Sequence, residues 1–263
     1  MRRGLEIFGG YLVQFLKVRL AYRAEVLGEI LSGALGTAAS LLFILLLFEK
    51  TPALAGWTRE EAVFVFGLSM IAYGLYSVVS MNLYEFADRY VVEGRFDRIL
   101  LRPVNSFFQV LFESFRLTPL GDVLVGVGTI AYSASRLGIG FGVWDLLWLA
   151  GAAVSGAVIL VCVFGTLTTV SFRFEDRIGI IPPVFNLIQF ARYPLPVFNR
   201  PLSFLLRFVI PFAFLAFYPS AHFLKKAEFL RGCYATPLVA LACAGVLALA
   251  WTWGVRRYES TGS

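Results

Sequence analysis

The constraint that governs this chain is a succession of uncharged apolar runs, most of them about as long as a helix must be to cross a bilayer. Crossing the hydrocarbon core takes about 20 apolar residues, and residues 26–48, 62–83, 117–135, 146–171, 202–224 and 236–255 approach or exceed that length. The first has one charge, Glu29, near its start. The run at 117–135 has Pro119 and Asp122 close to its beginning, Asp145 opens the next, and 202–224 is interrupted by Arg207, Pro211 and Pro219. A shorter run, 178–191, contains Pro182 and Pro183. Composition agrees: 59% of the 263 residues are apolar and only 15% charged, with mean hydropathy +0.76, whereas soluble domains carry about 25% charged residues. So much Leu, Phe and Val cannot be hidden inside a globule of this size. The expected fold is all-α, a single polytopic transmembrane domain over residues 1–263.

Charge gives the runs a direction. Arg2, Arg3, Lys17, Arg19 and Arg23 precede the first, and Arg89, Arg95, Arg98, Arg102 and Arg116 separate the second from the third. Lys50 and Arg59 are the only basic residues between the first two, and Arg136 stands alone after the third. Arg173 and Arg177 follow the fourth, and Arg256 and Arg257 the last. Under the positive-inside rule the N-terminus, the 84–116 loop, the 172–177 turn and the C-terminus are cytoplasmic, in a multi-pass protein of the cell membrane. Two cytoplasmic termini require an even number of crossings, hence six transmembrane helices. The net charge of +6 then reflects cytoplasmic loops and anionic headgroups; no nucleic-acid partner is expected.

The sixth crossing has two candidates. If 178–191 crosses, the proline-broken stretch after it must dip into the membrane from outside and return; if 202–224 crosses, 178–200 lies along the inner surface. The basic residues Lys225, Lys226 and Arg231 favour the second slightly. Residues 1–24 differ in kind, because Leu5, Phe8, Leu12, Phe15 and Leu16 recur at helical spacing between charges, as in an amphipathic helix lying in the interface. Glu6, Gln14, Lys17 and Arg19 break what would otherwise be an apolar segment, so no cleaved signal is expected.

The loop after the second run mixes both signs of charge with Phe86, Tyr90 and Phe96, and holds a helix-ending Gly94 and a stop at Pro103. Such a segment suits docking on a soluble partner, aromatics anchoring and charges setting register; an ordinary solvated loop is the alternative. Its second half, Glu93-Gly94-Arg95-Phe96-Asp97-Arg98-Ile99-Leu100-Leu101-Arg102-Pro103, resembles the pattern Gly-x-Leu-Asp-x-Leu-Leu-x-Arg-Pro of ATP-binding-cassette exporter permeases. These belong to the ABC type 2 class, in a subgroup long catalogued as a domain of unknown function. Tyr193-Pro194-Leu195-Pro196-Val197-Phe198, Phe208 to Phe214 and Tyr218-Pro219 resemble that subgroup's second pattern. Phe96 stands where the family commonly has Leu.

The resemblance implies a permease subunit whose cytosolic coupling helix docks on a separate ATPase. Carried onto this chain, that helix falls within Phe86 to Arg98, with Phe86, Arg89, Tyr90, Glu93, Gly94, Arg95, Phe96, Asp97 and Arg98 at the interface. It also implies outer re-entrant helices over residues 193–224, with Tyr193, Pro194, Pro211 and Pro219, which makes 178–191 the fifth span. A second permease, identical or paralogous, and a lipid-like, amphipathic or drug-like substrate complete the expectation. No Gly-x-x-x-x-Gly-Lys-Ser/Thr loop occurs, so ATP and magnesium are expected on the partner ATPase, and the chain itself is not an enzyme. The Gly138-x-Gly140-x-Gly142 cluster reads as a turn.

Small residues four apart, Gly28, Ser32, Gly36 and Ser40 in the first run and Ala240, Ala244 and Ala248 in the last, mark helix contacts, within one subunit or at a dimer seam. Asp122 is an intramembrane charge and hence a functional candidate by default, or an anchor paired with a residue such as Arg116. Cys162, Cys233, Cys243 and His222 make no metal or disulfide spacing. A membrane-embedded lipid-modifying enzyme would need an acid–base constellation that a lone His222 does not supply. An ion-coupled transporter would need inverted repeats and midplane carboxylates.

Overall fold

The computed structural model describes residues 23–49, 51, 53–174 and 179–258. The amphipathic helix expected over residues 1–24 falls almost wholly outside them. The described elements are helices α1 (Arg23–Glu49), α2 (Arg59–Tyr84), α3 (Arg95–Leu100), α4 (Ser106–Leu111), α5 (Leu120–Leu137), α6 (Val143–Thr168), α7 (Ser171–Phe174), α8 (Ile181–Leu187), α9 (Arg200–Phe204), α10 (Phe217–Phe223) and α11 (Leu230–Val255). One departure from an all-α chain is a two-stranded hairpin, Ala53–Leu54 with Trp57–Thr58. Ala55 and Gly56 turn it with φ of 49° and 80°, the paired positive angles that a two-residue hairpin loop favours.

Local chemistry sets the helix ends. Thr58 Oγ1 accepts from the Glu61 N–H at 3.3 Å and Glu61 Oε2 accepts from the Thr58 N–H at 2.9 Å, a capping box that starts α2. Gly138, with φ of 66°, ends α5, and Asp145 accepts from the Gly142 N–H at 2.9 Å to start α6. The glycine cluster is therefore a turn between two helices.

α2 is the central helix: from Ala62 to Met70 every residue is buried, six of them aromatic or large aliphatic. It packs antiparallel to α5 through glycines. A Cβ at Gly67 would lie 2.8 Å from the Gly126 carbonyl oxygen and one at Gly126 would lie 2.7 Å from that of Gly67, so the two backbones touch with nothing between them. α1 packs on α5 in the same way, but through Gly33 and Gly121 and not through the stripe read from the sequence. A Cβ on Gly121 would fall 2.2 Å from the Ile30 carbonyl oxygen, while Gly28 and Gly36 face open space and Ser32 is exposed. Helices settle where backbones approach, and periodicity alone does not say which of two small-residue faces that is.

Among the described residues, four helical stretches are long and apolar enough to cross a membrane: Ala24–Glu49, Arg59–Val92, Val143–Arg173 and Ala227–Val255. A fifth is available if the bent pair Arg200–Val209 and Phe212–Phe223, at 77° to each other, counts as one. α5 has 18 residues, about 27 Å of helix, and its glycines and hydroxyls dilute its apolar character. The 178–191 run does not form one continuous helix: α8 has seven residues and passes directly into a 3₁₀ segment, Ile188–Arg192. Pro182 and Pro183 are accommodated in its first turn, where missing N–H groups cost nothing.

Candidate functional site

α2 does not stop at Tyr84. It continues through a wide π turn, Ala87–Val92, and ends at Gly94, whose φ of 66° only glycine adopts cheaply; α3 then starts in a new direction. The three aromatics of this segment are turned inward. Phe86, Tyr90 and Phe96 are each 0% exposed. Phe86 stacks on Tyr90 at 5.3 Å and meets Phe172 and Trp251 edge-on at 5.3 and 5.6 Å. Phe96 sits 4.9 Å from Phe172 and 5.0 Å from Tyr258. The Tyr90 hydroxyl donates to Glu113, and Trp251 Nε1 donates to Ser106 Oγ at 3.0 Å. Anchoring of a partner by these aromatics is thus corrected: they anchor the loop to its own protein, to the end of α6 through α7 and to the end of α11.

What faces outward is different. Asp88, Glu93, Arg98 and Arg102 are exposed, with Val92, Leu100 and Leu101 between them, Leu101 at 84%. Arg95 bridges Glu93 at 2.7 Å, and Arg116 bridges Glu85 at 2.7 Å; Asp97 and Arg89 are half-buried. The outward leucines and Val92 were missed in favour of larger aromatics. A signal existed, since Leu83, Phe86 and Tyr90 continue the buried stripe of α2 at helical spacing, which leaves Val92 on the opposite side. Behind the segment, Asn82 donates to the Val110 carbonyl at 3.0 Å and accepts from Ser114 Oγ at 2.6 Å, tying α4 to α2. Tyr258 closes the cluster; burial, and secondarily the Asp97 carboxylate, push its phenol up to about 12.

The second region is the broken segment. Tyr193 follows the 3₁₀ turn and packs on Phe198, ring centroids 6.3 Å apart; Pro194 is buried and precedes another 3₁₀ turn, Leu195–Val197. A π turn, Leu205–Val209, carries Arg207 to the break at Pro211, after which the chain turns by 77° into α10 with Pro219 buried inside it. His222 joins this segment to two long helices, with Nε2 3.3 Å from Asp145 Oδ1 and Nδ1 3.1 Å from the Tyr234 hydroxyl. No group of three or more His, Cys, Asp or Glu placed to hold a metal occurs among the described residues.

Between these regions lies a polar cluster in the helices. Asp122 of α5 accepts from Thr37 of α1, and one turn along the same face of α1 Ser40 accepts from Arg192 at 3.0 Å. Arg116, expected as a partner of Asp122, is engaged with Glu85 instead. Asp122 is therefore tied to α1, and α1 in turn to the start of the broken segment.

A family model described as "ABC-2 family transporter protein" matches residues 34–262, nearly the whole of this arrangement. The chain belongs to the ABC-2 transporter family. Neither a curated protein nor a solved structure matches it. As an ABC-2 permease it is a multi-pass membrane subunit for transport and not a nucleotide-binding domain, and the family in general implies an ABC ATPase partner. The ABC-2 match includes the inward-turned aromatics and the broken segment alike.

Proposed function

We propose that this chain is the membrane-spanning subunit of an ATP-driven exporter, with the segment from Phe86 to Arg98 receiving the motion of a separate ATPase. The observation that carries the reading is the aromatic cluster of Phe86, Phe96, Phe172, Trp251 and Tyr258. It fastens a charged, outward-facing segment to the ends of three long helices. Close-packed rings transmit displacement with little loss, so a push on Glu93, Arg98 or Leu101 moves α2, α6 and α11 together. The outward face mixes both signs of charge with exposed Leu101, a composition suited to a register-setting protein interface. In this reading the 84–116 loop and both termini are cytoplasmic, six segments cross, and residues 193–224 enter the membrane from outside and return.

ATP and magnesium would sit on the partner, which closes around nucleotide and rocks the permease between inward- and outward-facing states. A second permease copy would complete the path. Spans without a charged stripe favour a lipid-like or amphipathic substrate over an ion, because a charge in the bilayer core costs several kcal/mol at least, about 3 on the insertion scale. The test is the double variant Glu93→Ala, Arg98→Ala: the reading expects weaker copurification of the ATPase and loss of transport-coupled hydrolysis. If both are untouched, this segment is not the coupling element.

A further inference from the structure

Arg59 and Arg136 stand at the adjoining ends of α2 and α5, on the side away from the charged 84–116 loop. Arg59 is the first residue of α2 and Arg136 lies in the last turn of α5. These ends meet, with Ser133 Oγ donating to the Glu60 carbonyl at 2.7 Å. Beneath them a groove of about 400 Å³ runs between α1, α2 and α5, floored by Leu41, Leu45, Val63, Val125 and Gly128, with Arg59 and Tyr132 at its mouth. Arg136 does not line the groove itself; its guanidinium rests over the ring of Tyr132, which does, 5.7 Å from the centroid. Neither is paired with a carboxylate within the described residues. Glu60, next to Arg59 in the first turn of α2, is half-buried and makes no ion pair among the described residues, and Glu61 is taken by Lys226 at 2.8 Å. Glu49 lies two turns beyond Leu41 on α1 and is exposed without an ion pair to either.

The geometry points to a bound anionic, phosphate-bearing lipid, its acyl chain in this groove and its phosphate between Arg59 and Arg136. The volume falls in the range of small-molecule sites, about 300–1,000 Å³. The floor is aliphatic apart from Thr129, which spends its hydroxyl on the Gly126 carbonyl at 2.9 Å, so no polar group there asks for water. Gly128 leaves room that a side chain would fill, since a Cβ there meets nothing within 4 Å. Two cations at the end of an apolar slot are complementary to one anionic head on an apolar tail, the pattern by which basic pockets between helices hold lipid headgroups. The alternative, two arginines merely reaching to bulk headgroups, predicts no preference among lipids. The site does not require the chain to be an exporter, so its test can fail while ATPase coupling stands.

The experiment uses the purified full chain, delipidated in detergent and titrated in separate arms with phosphatidylglycerol, phosphatidylcholine, diacylglycerol and soluble glycerol phosphate. Bound lipid is counted by native mass spectrometry. We expect one phosphatidylglycerol per chain, retained at least tenfold more tightly than phosphatidylcholine or diacylglycerol, and weak binding of glycerol phosphate. The double variant Arg59→Gln, Arg136→Gln should erase the preference, and Gly128→Leu, which occupies the groove without touching the arginines, should also lower phosphatidylglycerol retention about tenfold. Equal retention of all lipids by the wild type, or an unchanged preference in the arginine variant, overturns the site. Glycerol phosphate binding as tightly as the lipid, or full retention in Gly128→Leu, removes the groove from it.

Discussion

Phe86 and Phe96 are fully buried and each meets four other aromatic rings, and that fixes what their removal does. Truncating a buried phenylalanine costs about 3–5 kcal/mol in transfer and cavity terms, so Phe86→Ala and Phe96→Ala should lower the unfolding temperature of the detergent-purified protein and loosen the loop. Arg98→Ala, on an exposed residue, should change stability by under about 0.5 kcal/mol, which separates a packing role from a docking one. Gly121→Ala places a methyl 2.2 Å from the Ile30 carbonyl oxygen and should drive α1 off α5. Gly28→Ala and Gly36→Ala should leave the single chain unaffected, and a melting curve of each variant distinguishes the two faces of α1. Tyr258 adds a pH signature. Its phenol is raised from 10.0 to about 12, so the folded state holds its proton more tightly than the unfolded one. The stability this gives is fully present below pH 10 and is lost as pH rises through about 12; Tyr258→Phe should flatten that slope in alkaline unfolding curves.

At the scale of elements, apolar length identified α1, α2, α6 and α11, because the cost of leaving such runs in water is additive along the chain. It did not show how the 178–191 run is built, where two prolines sit in the first turn of a seven-residue helix that tightens into a 3₁₀ segment. It also could not choose between one span and a re-entrant pair over 202–224, since Pro211 permits a break but the 77° angle depends on what the two halves pack against. Asp122 stands out in the sequence as a charge in an apolar run, but its hydrogen-bond partner lies 85 residues away, beyond what the run itself can show. Removing the Thr37 hydroxyl leaves that carboxylate without its donor, so Thr37→Val should cost about 1–3 kcal/mol. Ser40→Ala should act through Arg192, and because both act on α1 within one turn, the double variant should be less than additive in thermal unfolding.

The whole molecule is a helical bundle built on α2, and its two ends differ in kind. One end presents charges and Leu101 over a ring cluster; the other gathers the hairpin, His222 with Asp145, and the arginine-flanked groove. If the first end docks an ATPase, that ATPase should copurify from native membranes with the wild type and be lost with Arg98→Glu, while a chain unaffected by that reversal would refute the assignment. What the sequence by itself determined was the solvent, the longest helices, the turns at Gly94 and Gly138, and the loop rich in charge, because transfer free energy and turn chemistry are local properties of residues. Which face of each helix is buried was decided only by tertiary structure. Gly33 and not Gly28 meets a neighbour, the aromatics of the loop turn inward, and Arg59 of α2 and Tyr132 of α5 line one groove. Each of these depends on a partner distant in sequence, and burial is a property of pairs of surfaces that no single run of residues carries.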